Sequence, residues 1–237
     1  MNQESLPSAP FAPPGSGRPD RPGWPEIIAG VLTALAALAA TPLLLSLLSE
    51  ADAAMQGLAL AAWSVFTPFA GFAVAALVRI RGWAAFGVTR TTWRWLLIAV
   101  AVGVGTFIVK GFVNMGAAAV FGIDGEAQLP YVEAAGSGLL PLILTFAFIS
   151  LFVPIGEELL FRGVLMRGLL RYGPVVAVLS STIVFALFHG VNLALPSAVV
   201  FGIATAEIAR RSGSIWPAVV VHVINNLALP VFAILAM

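Results

Sequence analysis

Cysteine is absent from all 237 residues, which excludes disulfides, thiol catalysis and thiolate metal sites. Charge is scarce: 10% of residues are Asp, Glu, Lys or Arg, against about 25% in a soluble domain. Histidine occurs twice, at His189 and His222, each within an apolar segment. The net charge of +1 gives no reason to expect a nucleic acid as partner. Apolar residues take the remaining space, at 60% of the chain with a mean hydropathy of +1.00. Such a composition marks an integral membrane protein, and the length suits one domain. Arginine outnumbers lysine eleven to one. That bias points to a GC-rich genome and hence to a bacterial plasma membrane.

Residues 1–26 are polar and rich in Pro, Gly and Ser; such a segment reads as a disordered cytoplasmic tail. The apolar run behind it is long enough to span and lacks a small-residue cleavage site, so a cleaved signal peptide is not expected. Residues 27–237 read as the transmembrane domain. Since a span needs about 20 apolar residues, seven are predicted, within a range of six to eight. They are Ile27–Leu48, Leu58–Val78, Trp95–Phe121, Leu139–Leu160, Val175–His189, Leu195–Ile208 and Ile215–Leu235. The fourth is expected to continue as helix to Arg171. The fold class is therefore an all-α, polytopic transmembrane helical bundle.

Loop charges orient it. Glu50 and Asp52 follow the first span, and Asp124, Glu126 and Glu133 follow the third. Arg79, Arg81, Arg90 and Arg94 follow the second, Arg167 and Arg171 the fourth, and Arg210 and Arg211 the sixth. Basic loops alternate with acidic ones, which predicts a cytoplasmic N-terminus.

Within the fourth span stand two adjacent carboxylates, Glu157 and Glu158, with Arg162 one turn on. A charge near the bilayer centre costs roughly 2.5–3.5 kcal/mol on insertion scales, so these groups are paired, reactive, or both. Four residues separate Glu158 from Arg162, the spacing of an ion pair. Adjacent helical residues point about 100° apart, so Glu157 is left free to face a cavity as a general base.

Tyr172-Gly173-Pro174 reads as a break between two antiparallel helices. Glu157 lies 16 residues before Gly173 and His189 lies 16 after it, so both sit ~24 Å from the turn and come level. His222 lies nine residues into the last segment from Gly213, with Asn226 four further on and on the same face. A carboxylate, two imidazoles and an amide from three helices can thus converge.

These residues resemble the CAAX protease and bacteriocin-processing (CPBP) family, which includes type II CAAX prenyl endopeptidases and lysostaphin-resistance-like (Abi) proteins. Glu157-Glu158-Leu-Leu-Phe-Arg162 is similar to its Glu-Glu-x-x-x-Arg motif. Phe185-Ala-Leu-Phe-His189 resembles Phe-x-x-x-His, and His222-Val-Ile-Asn-Asn226 resembles His-x-x-x-Asn. The resemblance makes 139–237 the catalytic core. It implies an intramembrane endopeptidase that cuts a membrane-associated peptide or protein near the cytoplasmic face. Glu157 and His189 would activate water, and His222 and Asn226 would hold the scissile carbonyl and its oxyanion. Glu158, Arg162 and Phe185 would support them. Members of the family are described both as metalloproteases and as metal-free, glutamate-dependent enzymes. If a divalent metal such as zinc is used, Glu157, His189 and His222 would be its three ligands. Two rival readings stand beside this one: a non-enzymatic immunity or scaffold protein of the same fold, and a proton-coupled transporter.

Five further residues are weighed from their setting. Lys110 inside the third span reads as structural. Glu207 beside Arg210 and Arg211 reads as an ion-paired helix end. Gly103 and Gly105 read as packing positions. His189-Gly-Val-Asn192 is echoed by His222-Val-Ile-Asn225; if that is an old repeat, Asn192 also borders the site.

Overall fold

The computed structural model describes residues 21–79, 82–122, 128–192 and 194–229. Residues 1–20 of the expected tail, Arg81, Asp124, Glu126 and the end of the seventh expected span lie outside them. All regular structure among the described residues is helical. We number the helices α1 (Trp24–Leu47, bent at Ala40), α2 (Ala53–Val78), α3 (Trp93–Phe121), α4 (Leu129–Gly136), α5 (Leu139–Tyr172), α6 (Pro174–Phe188), α7 (Ala194–Ser212) and α8 (Trp216–Asn226).

Four of these, α1, α2, α3 and α5, are long and apolar enough to cross a membrane. The fifth predicted span is a 15-residue apolar helix, α6. The sixth is α7, 19 residues long with Arg210 and Arg211 in its last turn. The seventh is described as helix over Trp216–Asn226. The bundle wears its large apolar side chains outside: Leu43, Leu77, Phe112, Val120 and Leu139 are among the most exposed. Many of the helix contacts use small residues instead, the pattern of helices packing in lipid rather than water.

Helix α1 begins at Trp24, ahead of the apolar run, because Pro25 suits a first turn and Glu26 is buried there. Its carboxylate accepts from Gly23 N–H at 2.8 Å and from two Arg79 nitrogens at 2.7 Å. Helices α1 and α2 cross at Gly30 and Gly71. A Cβ on Gly71 would lie 2.6 Å from the Gly30 carbonyl oxygen, and one on Gly30 would lie 2.9 Å from that of Gly71. Leu160 of α5 packs into the same crossing. Helix α8 lies along α3, and α7 packs on α6, α3 and α8.

Helix α5 runs unbroken from Leu139 to Tyr172, as expected of the fourth span, but it is not uniform. Phe146–Phe152 and Glu158–Met166 are π-helical, with Val153–Glu157 as an α-helical piece between them. Such widened turns re-aim side chains and occur often at functional sites. Gly173, at φ +99°, ends the helix in a conformation that a side chain would strain. Pro174 then opens α6, so the predicted hairpin is present.

Candidate active site

Glu158 and Arg162 are fully buried on α5, with Arg162 Nε 3.2 Å from Glu158 Oε2. The ion pair predicted from the four-residue spacing is formed. Glu158 has a second partner that the spacing did not reveal: its Oε1 accepts from His222 Nδ1 of α8 at 2.9 Å. One carboxylate therefore joins a guanidinium on its own helix to an imidazole on another. Arg162 also donates to the carbonyl oxygen of Gly202 at 3.3 Å and to the Thr205 hydroxyl, both on α7. Its guanidinium carbon lies 4.4 Å from the centroid of Phe185, a cation–π contact away from water.

Glu157 points elsewhere. Its side chain keeps 17% of its surface exposed, and its Oε2 stands 3.5 Å from His222 Nε2. Among the described residues no group donates a hydrogen bond to that oxygen. The two glutamates thus have the different surroundings expected of them: one is locked in a pair, and the other lines a cavity.

His189 caps the end of α6, and its Nδ1 lies 3.0 Å from the Phe185 carbonyl oxygen. A carbonyl only accepts, so Nδ1 carries a proton, and in the neutral ring Nε2 then keeps the lone pair. Asn192 donates to the His189 carbonyl at 2.6 Å and fixes the turn that follows. Asn226 Nδ2 donates to Ile149 of α5 at 2.9 Å, and Ser150 donates back to the Asn226 carbonyl at 3.0 Å. Ile149 lies in the first π-helical stretch, five residues before Pro154. Proline has no N–H to return at that spacing, so the Ile149 carbonyl is open to an outside donor.

Glu157, His189, His222 and Asn226 all line one cavity of about 550 Å³, together with Asn192. The convergence predicted from the hairpin and the last helix is present at that level. The pairing inside it differs: among the described residues, the histidine that meets the carboxylates is His222, and His189 bonds its own helix. Phe185 underlies both imidazoles, 4.7 Å from His189 and 6.0 Å from His222 between ring centroids. Among the described residues no three His, Cys, Asp or Glu side chains are gathered closely enough to hold a metal ion. Glu157, His189 and His222 therefore do not form the three-ligand zinc set considered above.

Several cavity residues escaped the sequence reading. Tyr131 and Gln128 come from the stretch around α4, which was taken as an acidic loop. Thr205, which lies outside the cavity lining and accepts from Arg162, carried one usable signal, a hydroxyl in the middle of a helix that buries it. Lys110 lines the cavity as well, its Nζ 3.4 Å from the Asn225 carbonyl. Asn225, also in the lining, turns its amide to α3, donating to Gly103 at 3.1 Å and to Thr106 at 2.9 Å. Gly103 packs tightly on Ile224 as predicted, whereas Gly105 has open space around it. Glu207 is paired with Arg210 and Arg211, also as predicted.

A helical membrane protein that gathers carboxylates, imidazoles and amides around an internal cavity has the build of an intramembrane protease. Residues 139–228 match the family described as type II CAAX prenyl endopeptidase Rce1-like. That match covers α5 to α8 and all three motifs, and it supports the resemblance to CPBP-type intramembrane proteases over this part of the chain. No curated protein and no solved structure matches the chain.

Proposed function

We propose that this protein hydrolyses a peptide bond of a membrane-associated polypeptide, with Glu157 as general base. The observation that carries this reading is the contrast between the two glutamates. Glu158 is committed to Arg162 and His222, while Glu157 lines the cavity with an oxygen that accepts no hydrogen bond among the described residues. In the proposed reaction Glu157 takes a proton from water, and the water oxygen attacks the carbonyl carbon. The C–N bond then breaks, and the proton passes to the departing amine. A positioned base of this kind contributes typically 10²–10⁴-fold.

His189 keeps a lone pair on Nε2, which suits it to hold the same water. Asn226 uses its amide group on Ile149 and has a second N–H left to offer the oxyanion. His222 is held by Glu158 through Nδ1; its Nε2, when protonated, is a further donor for that oxygen. Donors fixed in advance around a dry site are the usual source of oxyanion stabilisation. Glu158, Arg162 and Phe185 act as positioning residues, since they reach the cavity through the imidazoles. No step is routed through a metal, because the three donors considered for one are not gathered.

The test is cleavage of a membrane-peptide library by the purified wild type and Glu157→Gln in detergent, with and without chelator. We expect cleavage by the wild type, a fall of ~10²-fold or more in the variant, and no effect of chelator. Equal rates for the two proteins would remove Glu157 as base. Absence of cleavage by a folded wild type would favour the scaffold reading. Loss with chelator, restored by zinc, would require the donors to rearrange around a metal.

A further inference from the structure

Lys110 stands well inside α3, among apolar neighbours. A charge in that setting needs a partner or a task. The ordinary partner is a carboxylate, and among the described residues no Asp or Glu forms an ion pair with it. Glu157 lines the same cavity and still does not pair with it. Nor does the side chain turn outward to lipid. Its Nζ points in, and its one hydrogen bond among the described residues is the long one to the Asn225 carbonyl, at 3.4 Å. An ammonium carries three N–H donors, so two remain for whatever enters the cavity.

Asn114 lies four residues further on, on the same face of α3, and also lines the cavity. Its Oδ1 is buried and has no hydrogen-bond partner among the described residues. Half a turn of the amide presents N–H where it presented oxygen, so Asn114 can donate beside Lys110. The walls around the pair include Leu38, Leu60, Trp63 and Val132, and Lys110 is the one Lys or Arg in the lining. Its bond to Asn225 also holds it against α8, next to Asn226 and one turn from His222. A structural lysine would have used its donors on the protein; this one keeps them at the wall of the proposed peptide site.

We propose that Lys110 and Asn114 are specificity-determining residues that hold a carboxylate of the bound polypeptide. An acidic side chain and a free C-terminus offer the same two acceptor oxygens, and either supplies the group. The inference rests on the proteolytic reading only in naming the ligand as a polypeptide.

The test is binding, measured on the full-length protein in detergent with Glu157→Gln present so that no peptide is consumed. The probes are fluorescent apolar peptides of one sequence: with a free C-terminus, with an amidated C-terminus, and amidated with one internal Asn, Asp or Lys. Anisotropy gives the affinities. We expect a carboxylate-bearing peptide to bind about tenfold or more tightly than its neutral counterpart, as one charge-assisted contact allows. Preference for the free C-terminus or for the internal Asp identifies the source. Lys110→Met should bring the ratio of charged to neutral peptide to about one, and Lys110→Glu should turn the preference to the Lys peptide. A structural lysine would instead weaken all peptides alike. Equal affinity for all peptides before Lys110 is changed would overturn the proposal. So would a preference that survives Lys110→Met, or a folded protein that binds none of the peptides. Cleavage by the protein with Glu157 intact is scored separately. Selective binding without cleavage would sink the proteolytic reading and leave the carboxylate subsite, and cleavage without selectivity would do the reverse.

Discussion

Glu158 spends its two oxygens on different partners, Arg162 through one and His222 through the other. Removing one member of a buried pair leaves the other charge without compensation, at a cost of about 3–5 kcal/mol. Glu158→Gln should therefore lower the melting temperature in detergent, and Arg162→Met should do the same. The double variant should recover part of the loss, because neither charge is then stranded. A thermal-shift series on the four proteins checks this; a double variant as unstable as the sum of the singles would refute the coupling. Arg162→Lys should not rescue, since an ammonium cannot reach Glu158, Gly202 and Thr205 at once. Glu157→Gln belongs to the opposite category. Glu157 Oε2 accepts no hydrogen bond among the described residues and stands 3.5 Å from His222 Nε2, so the variant should cost activity while leaving the melting temperature nearly unchanged.

At the scale of the element, close crossings decide which glycines matter. Gly71 faces the Gly30 carbonyl, where an added Cβ would come within 2.6 Å. Gly71→Val should therefore push α1 from α2 and disturb Leu160, three residues from Glu157. We expect lower thermal stability and reduced cleavage together. Gly105→Ala, on a face with open space, should lower neither, since alanine also favours the helix by its better propensity. A loss of stability in Gly105→Ala equal to that of Gly71→Val would contradict the crossing. Both glycines stand in apolar helices with apolar neighbours, and nothing in spacing alone separates them. Helix α5 teaches a similar lesson. Its continuity to Tyr172 followed from hydropathy and from Gly173-Pro174, whereas its two π-helical stretches did not. Pro154 was the visible sign of a disturbed ladder.

At the scale of the whole molecule, charge placement and cavity placement were legible to different degrees. The alternation of arginine-rich and acidic connections could be read along the chain, and the contacts of Arg79, Arg167 and Arg171 bring the basic ones to one end. The hairpin count could set Glu157 level with His189, because helical rise is constant. Whether they touch depends on how helices rotate about their axes, which an apolar surface without periodicity leaves open. The structure turns α8 so that His222, not His189, meets the carboxylates. It also places α4, an eight-residue helix, against α2 and so brings Tyr131 to the cavity. At this scale we expect neutralising substitutions on the arginine end to act on topology more than on activity. Changing Arg90 and Arg94 together to Gln should increase the fraction of wrongly oriented chains, read by impermeant maleimide labelling of a single thiol introduced at Gly82.

The sequence by itself determined a membrane protein, its helical class, the three motifs and the ion pair of Glu158 with Arg162. These depend on composition and on spacing within one helix, where geometry is fixed by the backbone. Tertiary structure alone decided the partner of His222, the donors around Arg162, and the loose gathering of Glu157, His189 and His222. Those depend on rotations and crossings between helices, set by packing of small residues and by buried polar contacts, and no single helix carries that information.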